Sequence, residues 1–137
     1  MNNYLKVEFP SNSINESLAR IIVSGFVMPL DPTIEVLSDV KTAVSEAVTN
    51  SIIHAYSEEK GMVTMELEMK ERELTIKIVD HGIGISDIRQ AREPLYTSKP
   101  ESERSGMGFT VMESFMDSLH IISELGHGTT VVMTKKL

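Results

Sequence analysis

The chain has 137 residues, a net charge of −7 and no cysteine. This length predicts a single domain over residues 1–137, and a hydrophobic content of 41% is enough for one core. The acidic balance argues against direct binding to nucleic acid, and the lack of cysteine excludes disulfides and thiolate metal sites. Since no apolar run has the length of a signal core or a membrane span, we expect a cytoplasmic protein without membrane contact.

The first half of the chain predicts one strand and two helices. Residues 4–9 alternate between apolar and polar side chains, which is typical of a strand. A helix follows, with Ser11 or Ser13 as its cap. After two prolines, a second helix extends from about Thr33 to about Tyr56. In the first helix, apolar residues and one glycine recur at helical spacing: Ile14, Leu18, Ile21, Ile22 and Gly25.

The second half predicts two hairpins, separated by a long polar segment and a third helix. Residues 62–70 and 73–80 both alternate and form the first hairpin. Residues 81–105 are polar, with one short helical piece, and loops this long are usually functional or disordered. Residues 106–119 predict the third helix, and residues 119–137 predict the closing hairpin. Together these elements predict a two-layer α/β sandwich, with helices on one face of a mixed, largely antiparallel sheet.

The first candidate site lies on the second helix. On a helical wheel, Asp39, Thr42, Glu46 and Asn50 occupy one arc, at the margin of an apolar arc. The polar arc is either a solvated face or the wall of a pocket. In a pocket, the Asn50 oxygen suits Mg²⁺, and Glu46 can orient or deprotonate a nucleophile beside that ion. The apolar arc comprises Val40, Val44, Ala47, Val48, Ser51 and Ala55.

The second candidate site is the DHGIG segment at the end of the first hairpin. Asp80 has the same parity as the apolar residues of its strand, so its side chain should point between the sheet and the helices. A buried carboxylate needs donors, and an adenine amino group is a suitable one. Gly82 and Gly84 let the backbone come close to a flat ligand. The alternative is a turn in which Asp80 caps local backbone amides.

The third candidate site is SGMGF, residues 105–109, at the start of the third helix. Glycines there expose backbone N–H groups at a helix N-terminus, which favours anion binding. No Gly-Lys-Ser/Thr follows, so this is not a Walker A loop. The alternative is an ordinary helix start with a tight packing contact.

The order and spacing of the three segments resemble the ATP-binding domain shared by gyrase, Hsp90, sensor histidine kinases and MutL. Residues 81–105 would then contain the lid over the nucleotide. Within that superfamily, residues 30–56, 79–101 and 103–119 look like the small anti-sigma factors that are serine kinases. The resemblance covers nearly the whole chain.

This resemblance implies a role for each candidate residue. Glu46 would be the general base for phosphoryl transfer, and Asn50 would bind Mg²⁺. Asp80 would hold the adenine amino group in a pocket shaped by Gly82 and Gly84. Thr130 would help to fix adenine, and Arg20 would contact protein partners. The residues around the ATP phosphates would be Thr97, Ser98, Lys99, Ser105, Gly106, Met107 and Gly108.

The resemblance also implies two protein partners. One is an RNA polymerase sigma factor of sporulation, held inactive by a homodimer of this chain with ATP bound. The other is an anti-anti-sigma protein that is phosphorylated on serine. The alternatives are a nucleotide-gated binding module without catalysis, a general-stress type of anti-sigma kinase, a simple ATPase and a histidine kinase output domain. The chain is too short for the phosphoacceptor hairpin that a histidine kinase carries.

Overall fold

The computed structural model describes residues 2–56, 60–93 and 108–137. It contains a short 3-10 turn at Met28–Leu30 and a π-helical turn at Ser51–Ala55. The other elements are, in chain order, β1 (Asn2–Pro10), α1 (Asn15–Val27), α2 (Ile34–Asn50), β2 (Met62–Lys70), β3 (Glu73–Asp80), α3 (Ile88–Ala91), α4 (Gly108–Phe115), β4 (Ser118–Glu124) and β5 (Gly128–Lys136).

The five strands form one sheet in the order β1-β2-β3-β5-β4. Each of the four neighbouring pairs is antiparallel, so the described strands contain no parallel pair. The helices α1, α2 and α4 cover one face of this sheet, since the buried side chains of helices and strands form one core. The predicted two-layer α/β sandwich is therefore confirmed, with a sheet that is antiparallel rather than mixed.

The central hairpin follows the predicted alternation. In β2 and β3, every second side chain is buried against the helices, and the intervening polar side chains are only partly buried on the other face. Asp80 continues the buried series and is 5% exposed. The buried apolar residues of the hairpin are Val63, Met65, Leu67, Met69, Leu74, Ile76 and Ile78.

The helix α1 forms as predicted, but a different stripe of it is buried. Ala19, Val23 and Val27 are fully buried, whereas Ile14 and Ile21 are mostly exposed. The predicted serine cap is also absent, because no side chain caps the described start of α1.

The helix α2 begins and extends as predicted. The Thr33 hydroxyl accepts a hydrogen bond from the Val36 amide and caps its first turn. Its apolar arc, from Val40 to Ala55, is buried throughout. Beyond Asn50 the helix widens into the π-helical turn, which the Tyr56 amide closes on the Ser51 carbonyl at 3.2 Å. Such turns often occur at functional sites.

The third main helix is shorter than predicted. The described part, α4, ends at Phe115, and β4 already begins at Ser118, where the sequence pattern predicted helix up to residue 119. The short helical piece predicted in residues 81–105 is confirmed as α3. None of the helices in the described part of the chain combines the length and the apolar character needed to cross a membrane.

Candidate functional site

A cavity of about 260 Å³ lies between the end of α2, the segment after β3, α4 and the start of β5. Its walls include Asn50, Ser51, Asp80, Gly108 and Thr129. One cavity therefore brings together residues of all three predicted motifs: Asn50 of the first, Asp80 of the second and Gly108 of the third.

The Asp80 carboxylate is held inside the cavity by three hydrogen bonds. One oxygen, Oδ1, accepts from the backbone amides of Gly82 and Thr129, each at 3.1 Å. The other, Oδ2, accepts from the Ser51 hydroxyl at 3.1 Å. Burial raises the pKa of Asp80, and these three donors lower it in part. Because Oδ2 has a single donor among the described residues, it keeps acceptor capacity for a ligand.

The glycines of the second motif are required by contacts within the protein. A Cβ at Gly82 would lie 2.2 Å from the Ala55 carbonyl oxygen, and one at Gly84 would lie 2.3 Å from the Glu124 carbonyl oxygen. Gly84 also has a φ of 79°, which favours glycine. Gly84 lines the cavity, and Gly82 supplies a backbone amide to Asp80. Both therefore shape the Asp80 wall, and whether their backbone meets a ligand stays a prediction.

Glu46 and Asn50 converge on Gly108 at the start of α4. A Cβ built on Gly108 would lie 3.2 Å from Asn50 Oδ1 and 3.3 Å from Glu46 Oε2. The two polar side chains therefore reach the same point from one side of α2, as their i,i+4 spacing predicts. Asn50 and Gly108 line the cavity, and the Glu46 carboxylate lies at its margin.

We expect Gly108→Ala to reduce phosphate transfer in a chain that still folds. Alanine is the better helix former, and this gain offsets part of the cost of crowding in the free energy of unfolding. The added methyl group would crowd the Asn50 amide and the Glu46 carboxylate, and a displacement of this kind should slow transfer by about tenfold or more. Transfer assays and thermal unfolding check this, with Ser114→Ala on the exposed face of α4 as the control. Unchanged transfer would show that the space beside Gly108 is not part of the reaction site.

The structure places Thr129, rather than the predicted Thr130, on the cavity wall beside Asp80. Asp80 pairs with Thr129 across β3 and β5, so these two side chains lie on the same face of the sheet. Thr129 is buried and lines the cavity, whereas Thr130 pairs with Val79 on the opposite face. Adjacent residues of a strand point to opposite faces, so Thr130 cannot face the same cavity.

One of the predicted phosphate-binding residues belongs to the described part of the chain. Gly108 alone of that group is described, and it begins α4. Thr97, Ser98, Lys99, Ser105, Gly106 and Met107 lie outside the described residues.

Among residues 2–56, 60–93 and 108–137, no cluster of three or more His, Asp or Glu side chains could hold a metal ion. A Mg²⁺ ion here would take its remaining ligands from phosphates and water, as this ion usually does. The Asn50 oxygen and the Glu46 carboxylate, both beside the small Gly108, are oxygen donors of the kind that Mg²⁺ prefers.

Arg20 lies on α1 beside a separate notch of about 400 Å³. Its Nη2 donates to the Ser17 hydroxyl at 3.3 Å, and its Nε lies 3.6 Å from Glu16 Oε1. Nε is buried and has no hydrogen-bond partner among the described residues. Lys41 of α2 also lines the notch, which therefore carries two cationic side chains.

Ser51 is a site residue that the sequence interpretation missed. It was placed in the buried apolar arc of α2, and it is 4% exposed there. A hydroxyl in an otherwise apolar stripe needs a buried partner, and that partner is Asp80. Ile83 and Leu125 were also missed; both line the cavity although their side chains are largely exposed.

The fold and the cavity together define a class of nucleotide-binding domain. Residues 14–135 match the Histidine kinase-like ATPase domain. A solved structure with RsbU and RsbW domains from Mycobacterium tuberculosis superposes with a TM-score of 0.72 over 98% of this chain and 32% of that one. Its sequence identity is 15%, so it supports the fold alone.

More similar sequences narrow this class to one family. An anti-sigma F factor of Clostridium beijerinckii is 61% identical, over 98% of this chain and 94% of the relative. Another, from Clostridium perfringens, is 57% identical over 100% of this chain and 99% of the relative. The chain belongs to the anti-sigma F factor family.

Proposed function

We propose that this chain is an ATP-dependent protein-serine kinase that also binds and inhibits the sporulation sigma factor, sigma F. Its phosphorylation substrate is an anti-anti-sigma protein, which phosphorylation inactivates. The observation that carries the kinase assignment is the convergence of Glu46 and Asn50 on Gly108, which lines the same cavity as the Asp80 carboxylate.

Adenine binding rests on the polarity of the cavity wall. The Asp80 Oδ2 atom can accept a hydrogen bond from the 6-amino group of adenine in addition to that from Ser51. Thr129 lines the same wall, and Ile83 and Leu125 offer apolar surface at its rim. A guanine base would place an acceptor oxygen against the carboxylate, so this wall favours ATP over GTP.

The proposed reaction is transfer of the γ-phosphoryl group to a serine of the anti-anti-sigma protein. The seryl oxygen attacks the γ-phosphorus, the bond to the β,γ-bridging oxygen breaks, and ADP leaves. Glu46 receives the proton of the seryl hydroxyl. Asn50 would hold Mg²⁺, which neutralises phosphate charge when it is bound. Lys99 and the other lid residues remain predicted phosphate contacts.

Sigma-factor binding is proposed from family membership and from the charged notch on α1. Arg20 and Lys41 could together receive an acidic side chain of a protein partner. We further propose that the chain acts as a cytoplasmic homodimer and does not contact nucleic acid itself. Coelution of purified sigma F with this chain and ATP, but not with an Arg20→Glu variant, would support that arrangement.

A phosphate-transfer assay tests the kinase proposal. The chain is mixed with Mg²⁺ and γ-labelled ATP, with and without a candidate anti-anti-sigma protein, and the labelled products are separated. We expect label on a serine of the partner and none on this chain. Bound nucleotide without label on the partner would instead favour a nucleotide-gated binding module. Label on a histidine of this chain would indicate histidine kinase chemistry.

A further inference from the structure

Tyr56 lies outside the walls of the cavity, yet its side chain joins the start of β2 to the residue after β3, the strand whose last residue, Asp80, lines the cavity. The hydroxyl Oη donates a hydrogen bond to the Met62 carbonyl oxygen at 2.9 Å. The same oxygen accepts one from the His81 amide at 2.6 Å. Tyr56 thus connects the start of β2 with the residue that directly follows Asp80.

The two hydrogen bonds require a neutral hydroxyl. A phenol donates once and accepts as well, so one oxygen serves both a carbonyl and an amide. The hydroxyl of an ordinary tyrosine is protonated at neutral pH, and burial raises the pKa of Tyr56 further. Phenylalanine would fit the space but would leave the Met62 carbonyl and the His81 amide without this partner.

The main chain of Tyr56 is fixed to the same segment. Its amide closes the π-helical turn on the Ser51 carbonyl, and Ser51 donates its hydroxyl to Asp80. The preceding carbonyl, that of Ala55, accepts from the Ile83 amide at 3.1 Å. The end of the second helix is therefore bonded to Asp80 and to two residues that follow it, His81 and Ile83.

The chain leaves space for the tyrosine ring at one glycine. A Cβ built on Gly61 would lie 2.3 Å from the Tyr56 Cε1 atom and 2.5 Å from its Cζ atom. No side chain fits there without moving the ring, since real Cβ atoms do not approach so closely. Gly61 and Tyr56 therefore act as a pair, and a change at either residue should disturb the same contact.

We propose that Tyr56 is a positioning residue for Asp80, and that it sets the preference of the site for 6-amino purines through the His81 amide. Asp80 can discriminate purines only while its Oδ2 atom faces the 6-amino group. If the backbone at His81 were released, the adjoining Gly82 amide, which holds Oδ1, would shift, and the carboxylate would turn without losing its charge. This inference rests on the proposed binding of adenine by Asp80.

The test compares ATP with purine riboside triphosphate, which lacks the 6-amino group. We expect Tyr56→Phe to weaken ATP binding by about fivefold to tenfold, the effect of one or two lost hydrogen bonds, and to leave the analogue nearly unchanged. The dissociation constant of the analogue divided by that of ATP, both measured by titration calorimetry with Mg²⁺, should fall by the same factor. Tyr4→Phe is the matched control, because its hydroxyl contacts Glu66 on the other face of the sheet.

A second variant guards against misfolding of the first. Gly61→Ala keeps the hydroxyl but displaces the ring, so it should lower the same ratio; it replaces Tyr56→Phe if that variant fails to fold. Equal weakening of the binding of both nucleotides would overturn the inference, because a general loss of packing cannot distinguish them.

Asp80→Asn separates the inference on Tyr56 from the proposed adenine role of Asp80. If the Asp80→Asn variant keeps the full preference for ATP over the analogue, the adenine role of Asp80 is wrong. If Asp80→Asn loses this preference while Tyr56→Phe keeps it, only the inference on Tyr56 fails.

Discussion

Glu46→Gln should lower phosphate transfer to the anti-anti-sigma protein by about 100-fold to 10,000-fold, the usual contribution of a general base. Glutamine keeps the shape of the side chain beside Gly108 but cannot take up the seryl proton at neutral pH. ATP affinity should change by less than about threefold, because the base acts on the attacking hydroxyl and does not select the nucleotide. Single-turnover transfer and nucleotide titration measure the two quantities separately.

The control for this variant lies on the same helix. Glu35 is an exposed carboxylate in the first turn of α2, so Glu35→Gln makes the same chemical change far from Gly108. It should leave transfer at the wild-type rate. If Glu46→Gln lost ATP binding together with transfer, Glu46 would have a structural role at the site. If transfer continued unchanged, another group would have to accept the proton.

The sequence predicts those features of the site that depend on one element alone. The period of α2 places Glu46 and Asn50 on one side, and the alternation of β3 turns Asp80 towards the helices. Both patterns extend over many residues, so a single unusual side chain does not obscure them. The confirmed burial of Asp80 and of the apolar arc of α2 follows from that redundancy.

The family resemblance pointed to Thr130, whereas the strand pairing brings Thr129 beside Asp80. Two threonines and two valines occur in succession at residues 129–132, so these four residues alone do not decide which threonine faces the core. The pairing of Asp80 with Thr129 settles the parity, and that pairing depends on the neighbouring strand. Where identical residues are adjacent in a β-strand, the pairing with the neighbouring strand is therefore needed to assign each side chain to a face.

The burial of α1 shows the same limit for a helix. Ile14, Leu18 and Ile21 are spaced as a helical stripe, and so are Ala19, Val23 and Val27. The stripe with the smaller side chains is the buried one. Periodicity established the helix, but only packing against the rest of the core decided which stripe faces inward.

Asp80→Asn should lower ATP affinity by about 100-fold or more, because a site built to accept a hydrogen bond from the ligand would present a donor instead. The internal hydrogen bonds can survive the change. The new carboxamide can keep its oxygen towards the Gly82 and Thr129 amides, and the Ser51 hydroxyl can reverse and accept from the new NH₂ group. That NH₂ group would then face the 6-amino group of adenine, donor against donor.

The control for the aspartate variant is Asp117→Asn. Asp117 also accepts a hydrogen bond from a backbone amide, that of Lys136, but it does not line the nucleotide cavity. Its replacement should leave ATP affinity unchanged. Unchanged affinity in Asp80→Asn itself would return Asp80 to the role of capping the turn after β3.

The pH dependence of ATP binding offers an independent check on Asp80. Burial raises the pKa of this carboxyl, so protonation begins at a higher pH than for an exposed aspartate. The protonated form lacks the charge that strengthens the bond to adenine, and ATP affinity should therefore fall as the pH is lowered through that raised pKa.

The stability of the protein should depend on the same carboxyl with the opposite sign. The folded state holds this proton more tightly than the unfolded chain, so the contribution of Asp80 to the free energy of unfolding falls as the pH rises through the same interval. Asp80→Asn should remove both dependences, and a wild-type pH profile retained in that variant would assign the titration to another group.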